Sequence, residues 1–129
     1  GSLKLKEVSY IHSESYAAGE LKHGTISLID EDVPVIAVAT QTGIIPKTIS
    51  NVVEVKSRGA KVILVCTDAC ARELKDGVAD YVIEIPHTDE LLMPITAVVP
   101  LQILAYYTSI NRGIDPDKPK NLAKSVTVE

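Results

Sequence analysis

The apolar residues of this chain fall into runs of two kinds. Pro34 to Thr40 (PVIAVAT) and Lys61 to Thr67 (KVILVCT) are continuous, without alternation, which is the signature of strands covered on both faces in a parallel sheet. Asp80 to Ile85 (DYVIEI) reads as a third, shorter strand that Pro86 ends. Helical spacing lies between and around them. Pro46 to Arg58 carries it through Ile49, Val52, Val53 and Lys56, with Pro46 suited to a first turn and Gly59 to an end. Asp68 to Lys75 is a short helix, and Thr88 or Asp89 can cap a long one running to about Asn111, with Gly113 as its stop. At the front, residues 3–18 read as a helix with an imperfect stripe of Leu3, Val8, Ile11 and Tyr16, ended by Gly19. A polar GELKHG segment, a short apolar stretch from Thr25 to Ile29 and an acidic turn at Asp30-Glu31-Asp32 lead into the first strand. The last segment, IDPDKPKNLAKSVTVE, holds two prolines and little periodicity, and reads as an extended tail on a surface.

Alternation of apolar strands and helices predicts an α/β fold: a three-layer αβα arrangement with a mostly parallel sheet joined by right-handed crossovers. The chain opens on a helix, whereas the first helix of a doubly wound sheet follows a strand. The expectation is therefore a domain over residues 1–113 that lacks its first strand, followed by a tail over 114–129.

Composition narrows the function classes. The 129 residues are 46% hydrophobic and 23% charged, which suits one globular domain. A net charge of −4, with five Tyr and neither Trp nor Phe, disfavours a nucleic-acid partner, which needs basic surface and stacking rings. Leu91 to Tyr107 carries no charge over 17 residues, but it is short of the roughly 20 a spanning helix needs and contains Pro94, Pro100 and Gln102. A core or interface helix is the better reading, with no membrane partner. Cys66 lies in an apolar run and acts as a small hydrophobe. Two reduced thiols, Cys66 and Cys70, and the lack of a signal-peptide core in GSLKLKEVSY suit a cytoplasmic protein. His12, His23 and His87 have no metal-ligand spacing, and the glycines spell neither a dinucleotide fingerprint nor a P-loop, so no metal or cofactor is expected.

Three places hold residues capable of chemistry. Lys4 and Glu7 share a helix face, either as a solvated ion pair or as a carboxylate poised to move a proton beside a cation. His23, in GELKHG, is a loop histidine or a general acid or base. Lys124, in the tail, is a solvated amine or a Schiff-base nucleophile for a carbonyl substrate. His12 and His87 read as surface and turn residues.

The motifs go further than the spacing. KLKEVSYIHSESYAAGELKHG (residues 4–24) and PLQILAYYTSINRGIDPDKPKNLAKSVTVE (residues 100–129) resemble the isomerase part of the glutamine–fructose-6-phosphate aminotransferase (glucosamine-6-phosphate synthase) family. The resemblance covers essentially the whole chain. It implies a flavodoxin-like sugar isomerase (SIS) domain, the second of two in that family, with the active-site tail behind it. It also implies the family reaction, fructose 6-phosphate and glutamine giving glucosamine 6-phosphate. Carried over residue by residue, Lys124 matches the Schiff-base lysine and Glu7 the carboxylate that moves a proton between C1 and C2. His23 matches the histidine of sugar ring opening, offered across a homodimer interface, and Lys4 a second lysine near the substrate. The family holds the sugar phosphate mainly on Ser- and Thr-rich loops of the first SIS half, and its glutaminase domain carries an N-terminal cysteine nucleophile. Neither feature is found in this sequence, so the chain is expected to be a piece of a longer enzyme, partnered by those regions and inactive alone. A non-catalytic SIS module that binds sugar phosphate is the alternative, and a tail containing Lys124 is what distinguishes the two.

Overall fold

A computed structural model describes residues 1–120 of the chain. They divide into two compact units, one formed by residues 16–100 and the other by residues 1–15 with the described residues from Leu101 onward.

The larger unit is built on β1 (Pro34–Ala39), β2 (Lys61–Thr67) and β3 (Tyr81–Ile85). All three are parallel, in the order β1-β2-β3, with Val35 opposite Val62, Ala39 opposite Cys66 and Thr67 opposite Ile85. The helices α2 (Ile45–Ser57) and α3 (Asp68–Glu73) provide the connections. The expected strands are all present, but only β2 fits the reading of burial on both faces. Val62, Leu64, Val65 and Cys66 are fully buried there. In β1 Val38 is exposed, and in β3 Tyr81, Val82 and Ile83 are exposed, because each of these strands pairs on one side only. An uninterrupted apolar run records the composition of a strand, and its place in the sheet decides how much of it is covered.

The helix α2 begins as expected, with proline in its first turn, but its buried line runs through Thr48, Val52 and Val55, at helical spacing, while Val53 faces out. Val52 and Val55 join Ala39, Ala60, Leu64 and Cys70 in one core. Gly59 closes the helix at φ +92°, and a Cβ there would sit 2.9 Å from the Cα of Glu31, so only glycine fits. Asp80 fastens the unit laterally. It accepts hydrogen bonds from Lys56 Nζ at 2.6 Å and from the Val62 N–H at 2.7 Å, with Lys61 Nζ 3.7 Å away. Chiefly through the Lys56 hydrogen bond, and then the Val62 amide, its carboxyl is held below the usual carboxylate range.

The smaller unit corrects the expected first helix. α1 spans Ser2–Ser9 only, not residues 3–18. Tyr10 caps it in the left-handed region (φ 55°, ψ 29°). Beyond it, Ser13 Oγ reaches back to the Ser2 carbonyl at 3.1 Å while Ser2 Oγ donates to the Ser13 carbonyl at 3.0 Å. Short hydroxyl side chains thus give the backbone an alternative to a further helical turn. The polar segment expected around GELKHG forms a 3₁₀ turn over Ala18–His23, and Thr25–Leu28 forms another, both in the larger unit.

The helix α4 (Met93–Asn111) starts later than its expected caps, because Thr88 and Asp89 make a turn ahead of it in which the Asp89 carboxylate accepts from the Leu91 N–H at 2.9 Å. The uncharged stretch is not a core helix. Met93, Ala97, Ala105 and Ser109 are buried, while Ile95, Val99, Ile103, Tyr106 and Ile110 are exposed along one stripe. By length and composition this helix is long and apolar enough to cross a membrane. In the smaller unit, Ser109 Oγ lies 2.7 Å from the Val8 carbonyl and 3.0 Å from that of Ile114, tying the end of α4 to the end of α1.

Candidate functional site

In α1, Lys4 Nζ donates to Glu7 Oε2 at 2.8 Å. The three-residue step brings the two side chains onto one face, as expected. The Lys4 side chain is 54% exposed and that of Glu7 only 23%, so the carboxylate sits nearer the packed side of the helix. Lys4 also lines a cavity of about 210 Å³ with Val8, Gln102, Ala105, Tyr106 and Pro116. The cavity wall is largely apolar, with the lysine as its charged group. At the end of the same helix the Tyr10 hydroxyl accepts a hydrogen bond from the Lys120 N–H. The last described residue of the chain is therefore held at the carboxyl end of the helix that carries Lys4 and Glu7. Lys124 lies outside the described residues.

His23 belongs to the larger unit. Its 3₁₀ turn is pinned from two sides: Leu21 packs against the core, and Lys22 pairs with Glu54 of α2, which Arg58 also approaches at 3.2 Å. The Lys22 hydrogen bond is the main cause of a Glu54 carboxyl held below its ordinary value. Gly24 follows at φ 132°, a backbone conformation that favours glycine. The result is a fixed turn that leaves the His23 imidazole exposed. The structure thus brings Lys4 and Glu7 into contact in the smaller unit and anchors His23 in the larger one.

The cysteines take no part. Both are free and buried. Burial first, and then the neighbouring Cys70, push the Cys66 thiol up to about 12, so at neutral pH it is a protonated, apolar side chain. Sequence reasoning missed Tyr10, whose phenol reaches a backbone amide 110 positions away. A lone tyrosine at a helix end gives no signal of such a partner.

A parallel sheet with helical crossovers and polar turns at its strand ends places the chain in the class of α/β domains whose ligands sit outside the carboxyl ends of the strands. More particularly, it belongs to the SIS domain family, which matches residues 1–112. Over all 129 residues it is 57% identical to the glutamine–fructose-6-phosphate aminotransferase (isomerizing) of Clostridium perfringens, and the match takes in 21% of that protein. Among solved structures it is similar to the C-terminal domain of glucosamine-fructose-6-phosphate aminotransferase from Francisella tularensis. The TM-score is 0.83 at 39% identity, over 88% of this chain and 32% of that one. It is also similar to glucosamine-6-phosphate deaminase from Thermotoga maritima, with a TM-score of 0.66 at 30% identity, over 97% of this chain and 34% of that one. The chain spans about a fifth of the length of the curated relatives it matches.

Proposed function

We propose that this chain is the C-terminal isomerase portion of an enzyme that makes glucosamine 6-phosphate from fructose 6-phosphate and glutamine. The observation that supports this most is the joining of three things on one helix: the Lys4–Glu7 pair, a cavity that Lys4 lines, and the anchoring of the chain at Lys120 just ahead of Lys124. Identity of 57% to the Clostridium perfringens aminotransferase and structural similarity to the C-terminal domain from Francisella tularensis agree with the reading.

In this reading the Lys124 amine condenses with the C2 carbonyl of the open-chain ketose and releases water. Ammonia released from glutamine then displaces the lysine from C2, which frees the Lys124 amine and leaves a sugar imine whose C1 protons are more acidic than those of the ketone. The Glu7 carboxylate takes one of those protons and returns it at C2, one base serving two adjacent carbons. Lys4 positions the carboxylate through the 2.8 Å contact. The exposed His23 assists ring opening from its fixed turn, offered to the site of a second copy in a homodimer. The phosphate and glutamine sites belong to the first SIS half and the glutaminase domain of the same enzyme, and the whole acts in the cytoplasm. The SIS unit runs over 1–113 and the active-site tail over 114–129, divided where Gly113 (φ +69°) closes α4. The exposed apolar stripe of α4 is an interface rather than a membrane span, consistent with Pro100 and Gln102 within it.

Formation of glucosamine 6-phosphate from fructose 6-phosphate and glutamine by the enzyme carrying this chain tests the proposal. Lys124→Arg keeps the positive charge and removes the imine-forming amine, and it is expected to abolish turnover. Undiminished turnover by that variant would point instead to a sugar-phosphate-binding module without a role in the chemistry.

A further inference from the structure

Four polar side chains that find no hydrogen-bond or ion-pair partner among the described residues meet beyond the carboxyl end of β1. They are Thr40, Gln41, Thr48 and Glu90, and together with Ile44 and Pro94 they line a cavity of about 190 Å³. Thr48 is the informative member. Of the buried polar residues, Ser9, Thr67 and Ser109 have their hydroxyls bonded to the Leu5 carbonyl, the Cys70 amide and the Val8 carbonyl. Thr48, only 7% exposed, has no such partner. No sealed side-chain nitrogen or oxygen among the described residues goes without a partner, so the Thr48 hydroxyl is open to the cavity. A hydroxyl that is nearly buried and unpaired is costly unless a ligand or water completes it.

The cavity sits where open α/β sheets hold ligands, at a strand's carboxyl end and beside the start of α2 at Ile45. Its lining defines the ligand. Two hydroxyls and an amide both donate and accept, as the hydroxyls of a polyol require. Among the described residues neither lysine nor arginine lines it, and the Glu90 carboxylate does, which opposes a phosphate and attracts an ammonium group. Ile44 and Pro94 supply an apolar wall for the C–H face of a ring. Lys4, Glu7 and His23 take no part in the lining. We propose that this cavity is a second binding site, for an amino sugar that carries no phosphate.

Titration of the full chain with glucosamine, followed by backbone amide NMR, tests the site, with glucose and glucosamine 6-phosphate as comparators. Saturable shifts are expected at Thr40, Gln41, Thr48 and Glu90, with glucosamine binding more tightly than either comparator. Thr48→Val removes the hydroxyl at nearly constant volume and is expected to weaken binding about tenfold. Glu90→Gln changes an exposed position, leaves the folded spectrum intact and is expected to erase the preference for glucosamine over glucose. The proposal is overturned by the absence of saturable shifts at millimolar glucosamine, by tighter binding of glucosamine 6-phosphate at these residues, or by an unchanged preference in the Glu90→Gln variant.

Discussion

Replacing Glu7 by glutamine separates a structural from a chemical role for the α1 pair. The change keeps the shape of the side chain and removes its charge, and so the ion pair with Lys4 Nζ at 2.8 Å. That pair joins positions three apart on a helix, and the lysine is 54% exposed. Pairs of this kind are worth about 0.2–0.5 kcal/mol, because solvent screens them and two long side chains must be held in place. For a chain of this size such a loss lowers the melting temperature by about 1–3 °C. Loss of a general base acts on a different scale. It costs roughly 10²- to 10⁴-fold in rate, or about 3–5 kcal/mol of transition-state stabilisation. Glu7→Gln in the enzyme carrying this chain is therefore expected to keep its fold and its KM for fructose 6-phosphate, while kcat for glucosamine 6-phosphate formation falls at least about a hundredfold. Urea or thermal unfolding measured alongside a coupled assay of the aldose product decides the matter. A variant that turns over at near the wild-type rate, or one whose loss of activity is matched by a loss of several kcal/mol of stability, would refute the assignment of Glu7 as base.

Three further predictions concern the fold. Leu64→Ala in the fully buried β2 opens a cavity in the core and should cost about 2–5 kcal/mol in urea unfolding. Asp80 has a folded-state pKa below its ordinary value of 3.8, so its contribution to stability is present above that pH and is lost as acid protonates it in the folded state. The difference in stability between wild type and Asp80→Asn should accordingly be largest near neutral pH and shrink below about pH 3.8, as paired urea melts at several pH values will show. Because burial pushes the Cys66 thiol up to about 12, a thiol reagent at pH 8 should label it only when denaturant unfolds the chain, and fast labelling of native protein would contradict its burial.

The regular elements most visible in the sequence are those in which local pattern and tertiary environment agree. KVILVCT is apolar throughout because β2 is paired on both sides, and it forms the expected strand over Lys61–Thr67. The first helix is where the two part. Leu3, Val8, Ile11 and Tyr16 suggest one long stripe, but the reciprocal Ser2 and Ser13 bonds and the left-handed Tyr10 stop α1 at Ser9. Hydroxyl pairs eleven positions apart leave no periodic trace. The uncharged helix was legible as a helix, yet its exposure depends on what packs beside it. Among site residues, spacing makes the contact between Lys4 and Glu7 readable, whereas a role for either comes from the resemblance of the flanking motifs. Thr48 and Glu90, 42 positions apart, share a cavity that only the fold assembles.

The Schiff base proposed on Lys124 is open to direct capture. Borohydride added to the enzyme carrying this chain in the presence of fructose 6-phosphate would reduce the imine to a stable secondary amine, and peptide mass mapping would locate it. One hexitol phosphate adduct is expected on Lys124, lost in Lys124→Arg. An adduct on another lysine, or none under conditions in which the enzyme turns over, would contradict it.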